Sequence, residues 1–109
     1  MLNQVVIVGR LVDKPKLITN QEGKNMSIIT VAVSRSYKNA NGEYETDFID
    51  CILWTGVAEN TVEYCRKGDI IGVKGKIITE VIDGTKVTRV VAEKVSFLST
   101  NKSNSENDS

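Results

Sequence analysis

Histidine is absent from all 109 residues. With it go the commonest metal ligand and the commonest general base near neutral pH. Cysteine occurs only at Cys51 and Cys65, with thirteen residues between them. Two thiols without a CxxC spacing or a histidine partner do not make a zinc site, so neither metal nor cofactor is expected. An excess of charge is missing as well. Fourteen basic and fourteen acidic residues leave a formal net charge of zero, which argues against a chain that grips phosphates through bulk positive charge. No apolar run reaches the length that spans a bilayer, and the N-terminus has no basic region or small-residue cleavage site, so no membrane partner is expected. The expected compartment is the reducing cytoplasm, with both thiols free and buried as small hydrophobes. Catalytic constellations are missing too. Gly72, Gly75 and Gly84 lack the helix N-terminus that a phosphate-binding loop needs, and Asp47 and Asp50 have no base or metal partner in the sequence. An enzyme is therefore not expected.

What the chain does have is β-branched residues. Hydrophobic residues make up 40% and charged residues 26%, the balance of one ordinary globular domain. Valine, isoleucine and threonine dominate residues 1–98 and favour strands. Residues 99–109 contain no apolar side chain, so that segment reads as a disordered polar tail that cannot offset its ordering entropy. The first strand is Val5 to Val12, with Gly9 marking a bulge or a close approach of backbone. Residues 13–25 read as a loop with some strand at 16–18. The second strand runs from Met26 to Tyr37, followed by a turn at 39–42 that contains the hairpin signal Asn-Gly. The third covers Tyr44 to Thr55. A helix is predicted over 57–67, because Ala58, Val62 and Cys65 share one face, Lys67 suits a helix C-terminus and Gly68 stops it. Fourth and fifth strands come next at 70–82 and 86–98, joined at Asp83-Gly84. Five strands with one short helix between the third and fourth is the element order of an all-β oligonucleotide-binding (OB-fold) barrel. A generic five-stranded domain is the alternative.

The third strand carries the candidate chemistry. Ile49, Cys51 and Leu53 share one parity, while Phe48, Asp50, Ile52 and Trp54 share the other. Side chains alternate between faces, so the first set suits a barrel interior and the second puts two aromatics and a carboxylate outside. Exposed rings call for a cover. Nucleobases supply one, at about 1–3 kcal/mol per stacked base. Packing against the helix or a second subunit is the competing explanation. Tyr37 is a further platform, flanked by Arg35 and Lys38 in the basic-aromatic interleaving of a single-strand binder. Its parity matches Val31 and Val33, so an outward ring requires an irregularity near 34–36. Tyr44 reads as a cross-strand partner of Tyr37, and Tyr64 as helix packing. Arg66, Lys67, Lys74, Lys76, Lys86 and Arg89 are candidate phosphate contacts, each otherwise a solvated surface charge.

Several segments resemble bacterial single-stranded DNA-binding proteins. They are Met-Leu-Asn-Gln-Val-Val-Ile-Val-Gly-Arg-Leu at 1–11, Asn-Gly-Glu-Tyr-Glu-Thr-Asp-Phe-Ile-Asp-Cys at 41–51 and Leu-Trp at 53–54. Ala-Glu-Asn-Thr-Val-Glu-Tyr-Cys-Arg-Lys-Gly at 58–68, Val-Lys-Gly-Lys-Ile at 73–77 and Val-Ala-Glu-Lys-Val at 91–95 continue the likeness. The resemblance is greatest to the short Gram-positive form that accompanies the replicative one. It implies a homotetramer of barrels bound to single-stranded DNA without sequence preference, with base stacking at Tyr37, Phe48 and Trp54. It also implies a cytoplasmic, nucleoid-associated protein serving replication, recombination, repair or DNA uptake. Two departures stand out. Glu80 and Ile82 occupy places where the family often has a cation and an aromatic. The tail ends Asn-Asp-Ser without the family's acidic tip, so recruitment of repair enzymes by that route is not expected; a truncated chain would end the same way. The alternative function is an OB-fold protein-interaction module, such as a primosome accessory subunit. Residues 1–98 alone carry 13 basic and 12 acidic residues, a balance that suits a binder leaning on stacked bases more than on charge.

Overall fold

The computed structural model describes residues 1–99. The elements are β1 (Val5–Leu11), β2 (Ile18–Thr19), β3 (Asn25–Lys38), β4 (Tyr44–Trp54), α1 (Thr55–Tyr64), β5 (Ile70–Ile82) and β6 (Thr85–Ser99). The sheet order is β1-β5-β6-β4-β3-β2, and β1 also pairs with β3. That second pairing, Arg10 with Ala32 and Leu11 with Val31, closes the five long strands into a barrel. This is the expected OB-type architecture, with the helix between the third and fourth long strands. The strand expected within 16–18 forms two residues later and lies along β3. β4 and β6 supply the one parallel pairing among the described residues, confined to Cys51 with Val90 and Ile52 with Val91.

Alternation fills the interior. Ile7, Leu11, Ile29, Val31, Cys51, Leu53, Ile71, Val73, Val90 and Ala92 form the core, which Ala58 of α1 and Cys65 complete at one end. Each buried Leu, Ile or Val removes enough apolar surface from water to contribute roughly 1.5–3 kcal/mol. Both thiols are free and buried, as expected. Burial, assisted by the negative charge of Asp50, pushes the Cys51 thiol up to about 11, so it stays protonated and inert near neutral pH.

The helix ends three residues earlier than its periodicity suggests. Cys65 has left the helix with extended backbone, φ −107° and ψ 148°. Arg66 and Lys67 therefore do not close α1, and Lys67 has no helix terminus to complement. Tertiary hydrogen bonds account for the early stop. The buried Asp69 carboxylate accepts the Arg66 backbone N–H at 2.8 Å. The Gly68 N–H donates to the Leu11 carbonyl at 2.8 Å, and the Arg10 guanidinium donates to the Gly68 carbonyl at 2.9 Å. The Asp69 bond closes the 66–69 turn on itself, the two Gly68 bonds tie it to β1, and together they outcompete another helical turn. Further along the chain, Ser99 belongs to β6 and pairs with Ile70 of β5 rather than beginning a disordered tail. The rest of that expected tail lies outside the described residues.

Two turns share one construction. Asn20 Oδ1 accepts the N–H groups of Glu22 and Lys24 at 3.0 and 2.9 Å. Asn39 Oδ1 accepts those of Asn41 and Glu43 at 2.9 and 3.0 Å. The fourth residue of each is a glycine at positive φ, Gly23 at 84° and Gly42 at 79°. The hairpin after β3 is thus an asparagine-capped loop rather than a two-residue Asn-Gly turn.

Gly9 marks a close approach, since a Cβ there would run into the Ala32 carbonyl oxygen. Gly75 sits where the register against β6 slips by one residue, Lys74 facing Lys94 and Gly75 facing Ala92. A Cβ on Gly75 would collide with the Val91 carbonyl oxygen, whereas one on Gly72 would meet its neighbours at 3.6 Å or more. Gly75→Ala is expected to destabilise the chain by about 1–3 kcal/mol through overpacking against backbone. Gly72→Ala is expected to leave stability within about 0.5 kcal/mol. Denaturant midpoints of the two variants check both values.

Candidate nucleic-acid interface

β4 obeys the two-residue alternation to its end. Cys51 and Leu53 are fully buried, while Phe48 is 66% and Trp54 36% exposed on the opposite face. Six residues of strand, about 20 Å of backbone, lie between the two positions. Between them, Asp50 accepts a 2.6 Å hydrogen bond from the Thr30 hydroxyl. Ile52 has outward parity yet is buried. It faces Ile28 across the β3–β4 pair.

Two depressions flank this outer face. β6 pairs with β4 only at Cys51 and Ile52, and alongside this short ladder the two strands leave a cleft of about 510 Å³. Ile28, Phe48, Asp50, Ile52, Ile77 and Arg89 are among its lining residues. Arg89 is half-buried, and its Nε lies 3.5 Å from a Glu80 carboxylate oxygen without a hydrogen-bond partner among the described residues. The second depression, about 570 Å³, brings Lys14, Lys16 and Lys67 together with Asp13, Ile18 and Ile28. Ile28 belongs to both, so an apolar floor runs between a guanidinium on one side and three ammonium groups on the other.

Nothing in the sequence pattern singles out Lys14 and Lys16. They flank the only proline in a loop, and the fold places them beside Lys67, some fifty residues away. Lys76 faces Val91, which in turn faces Ile52, so it shares the cross-strand row of the apolar floor. Lys74 lies further along β5, between Val6 and Lys94. Lys86 stands near the tip of the β5–β6 hairpin opposite Val81, and Arg66 is exposed in the turn before Asp69. None of these last three lines either depression.

The irregularity required at Tyr37 is present. Ser34 pairs with Thr46 and Lys38 with Tyr44, so Arg35, Ser36 and Tyr37 stand opposite the single residue Glu45. Tyr37 is 60% exposed. Tyr44 pairs with Lys38 rather than with Tyr37, and the Lys38 ammonium lies 5.7 Å from the Tyr44 ring centroid, within cation–π range. Arg35 is not a free cation. Its Nε and one terminal nitrogen donate to the two carboxylate oxygens of Asp47 at 3.0 and 2.9 Å, and another terminal nitrogen lies 3.6 Å from Glu45. The hydrogen bond to Asp47 is the largest cause raising the Arg35 pKa above its ordinary value. The same bond holds the Asp47 carboxyl below the usual range, against a smaller opposing effect of desolvation. Asp47 therefore has the partner that the sequence did not reveal.

Trp54 occupies the N-cap of α1 with extended backbone and no side-chain capping bond. The chain turns from strand to helix at the next residue, where Thr55 has φ +43°. A β-branched residue in the left-handed region is strained.

A closed five-strand barrel with an aromatic, cation-flanked outer face is the architecture of an oligonucleotide-binding barrel. Residues 2–98 match the single-strand binding protein family, and the chain belongs to that family. It is 44% identical over 103 residues to single-stranded DNA-binding protein B of Bacillus subtilis (strain 168), covering 90% of this chain and 91% of that protein. It is 43% identical over 107 residues to single-stranded DNA-binding protein 1 of Lactococcus lactis subsp. lactis (strain IL1403), covering 94% of this chain and 71% of the relative. Over 114 residues it is 42% identical to the single-stranded DNA-binding protein of Halalkalibacterium halodurans, covering all of this chain and 68% of the relative. Among the described residues, no helix is long and apolar enough to cross a membrane.

The strain beside Trp54 is testable without any ligand. Thr55→Gly removes the Cβ penalty of roughly 1–2 kcal/mol and gives back part of it in backbone entropy. Its thermal midpoint is expected to rise. A lower midpoint would contradict the strain.

Proposed function

We propose that the chain is a non-enzymatic binder of single-stranded DNA that holds bases by stacking and phosphates by local cations. The observation that carries this reading is the outer face of β4. Phe48 stands exposed beside an apolar floor with Arg89 on one side and Lys14, Lys16 and Lys67 on the other. Every base has a π-face, so such a platform accepts any sequence. Bases stack on Phe48, Trp54 and Tyr37, while phosphates track Arg89, Lys76 and the three-lysine depression. The relatives' names point the same way. With so little net charge, stacking supplies a large share of the affinity, and the chain acts on DNA exposed in replication, recombination, repair or uptake in the cytoplasm.

Trp54 is the only tryptophan, so binding has a direct reporter. Titration with oligo-dT is expected to quench its fluorescence, and affinity is expected to fall with salt by about 0.7 in slope per phosphate contacted. Phe48→Ala is expected to weaken binding by roughly five- to 150-fold, the equivalent of one lost stack at about 1–3 kcal/mol. Neither quenching nor salt-sensitive binding at micromolar protein would refute the reading.

The same reading includes a homotetramer. Val6 and Val8, 70% and 53% exposed, lie on β1, Val8 near Leu98 of β6 over Gly72, and neither valine lines either depression. Residues 5–8 have β5 on one side and, among the described residues, no β3 pairing on the other, leaving a strand edge and an apolar patch for a second copy. Light scattering is expected to give the mass of four chains, reduced by Val6→Glu. A monomer at micromolar concentration would rule the assembly out.

A further inference from the structure

From the geometry around the β3 bulge, we infer that Arg35 is a positioning residue that staples the bulge carrying Tyr37 to β4 through Asp47 and Glu45, rather than a phosphate ligand. The inference rests on the reading of Tyr37 and Phe48 as stacking platforms.

Three observations carry it. The first is the bulge itself. Arg35, Ser36 and Tyr37 face one residue of β4, so this stretch lacks the ladder that holds the rest of the strand, and a ring within it needs another support. The second is the fork. A guanidinium bonded through two nitrogens to both oxygens of one carboxylate is fixed in plane as well as in distance. Arg35 meets Asp47 in that way and reaches Glu45 besides. The residue N-terminal to Phe48 is thus locked to the residue two before Tyr37. Tyr37 also lies within electrostatic reach of Arg35. The third is the face. Asp47 and Glu45 share the β4 parity of Ile49, Cys51 and Leu53, opposite to that of Phe48. The clamp therefore holds the hairpin from behind the stacking face, and its fork is filled by carboxylates that would themselves repel a phosphate.

The two roles predict opposite signs for one variant. Asp47→Asn removes a negative charge and frees Arg35. A phosphate ligand would then bind DNA more tightly, whereas a released staple weakens binding. We expect Asp47→Asn, Arg35→Gln and Arg35→Lys each to weaken oligo-dT binding by about three- to tenfold. Lysine keeps the charge but cannot form the fork, so it does not rescue. The slope of log affinity against log salt is expected to stay at the wild-type value. In a Tyr37→Ala background neither Arg35→Lys nor Asp47→Asn is expected to cost further affinity, which a general loss of structure would not reproduce. Tighter binding by Asp47→Asn, or a slope reduced by about 0.7 in Arg35→Gln with wild-type binding by Arg35→Lys, would overturn the inference. A DNA-free measurement separates it from the function reading. The ¹⁵N order parameters of residues 35–37 are expected to fall in Asp47→Asn, and unchanged values would overturn the staple whatever the chain binds. If the wild type ignores oligo-dT while those order parameters fall, the function reading fails and the staple stands as a clamp on the bulge.

Discussion

A strand in a closed barrel has one face for the core and one for everything else, and β4 bears the consequence. Cys51 and Leu53 must point inward for the barrel to be filled. The pleat then leaves Phe48 and Trp54 no place but the outside. No local preference of the rings is involved. Slipping β4 by one residue would bury Phe48 and expose Leu53, at the expense of the whole interior layer. The aromatic face is thus as securely determined as the core. Closure of β1 onto both β3 and β5 extends the same constraint to every long strand.

The near-zero net charge takes on meaning once the cations have positions. Arg35 faces two carboxylates, Arg89 is partly neutralised by Glu80, and Arg10 is spent on the Gly68 carbonyl. Near the apolar floor there remains a local group formed by Lys14, Lys16 and Lys67, joined across the sheet by Lys76. Field strength depends on local grouping rather than on the sum over the chain, so a neutral protein still presents a basic flank. The pairing of Glu80 with Arg89 also gives a use to one departure from the family pattern. An acidic residue on β5 tempers a half-buried guanidinium instead of adding a cation to the surface.

Much of this is legible in the residues. The parity of β4, the shared parity of Val31 and Val33 on β3 and the irregularity demanded by Tyr37 come from a period of two. Hairpin counting does not reach the Arg35–Asp47 pair. Asp47 lies opposite Val33, and Arg35 meets it only across the bulge between Ser34 and Lys38. Read along β4 alone, Asp47 shows no partner. Other features depend on groups distant in the chain. The helix stops at Tyr64 because residues 66–69 bond to Leu11 and Arg10, which no periodicity within the helix reveals. Lys14 and Lys16 gain their place from a loop that folds against β3 and the turn at Lys67. Propensity describes segments one at a time, and these outcomes belong to pairs of segments.

The central claim is that the outer face of the β3–β4 hairpin is the surface that meets DNA. Photocrosslinking with an oligo-dT carrying 5-iodouracil, with peptide mapping of the products, tests it most directly. Adducts are predicted at Tyr37, Phe48 and Trp54. Adducts confined to Tyr64 or Phe97, both exposed on other parts of the surface, would contradict the account.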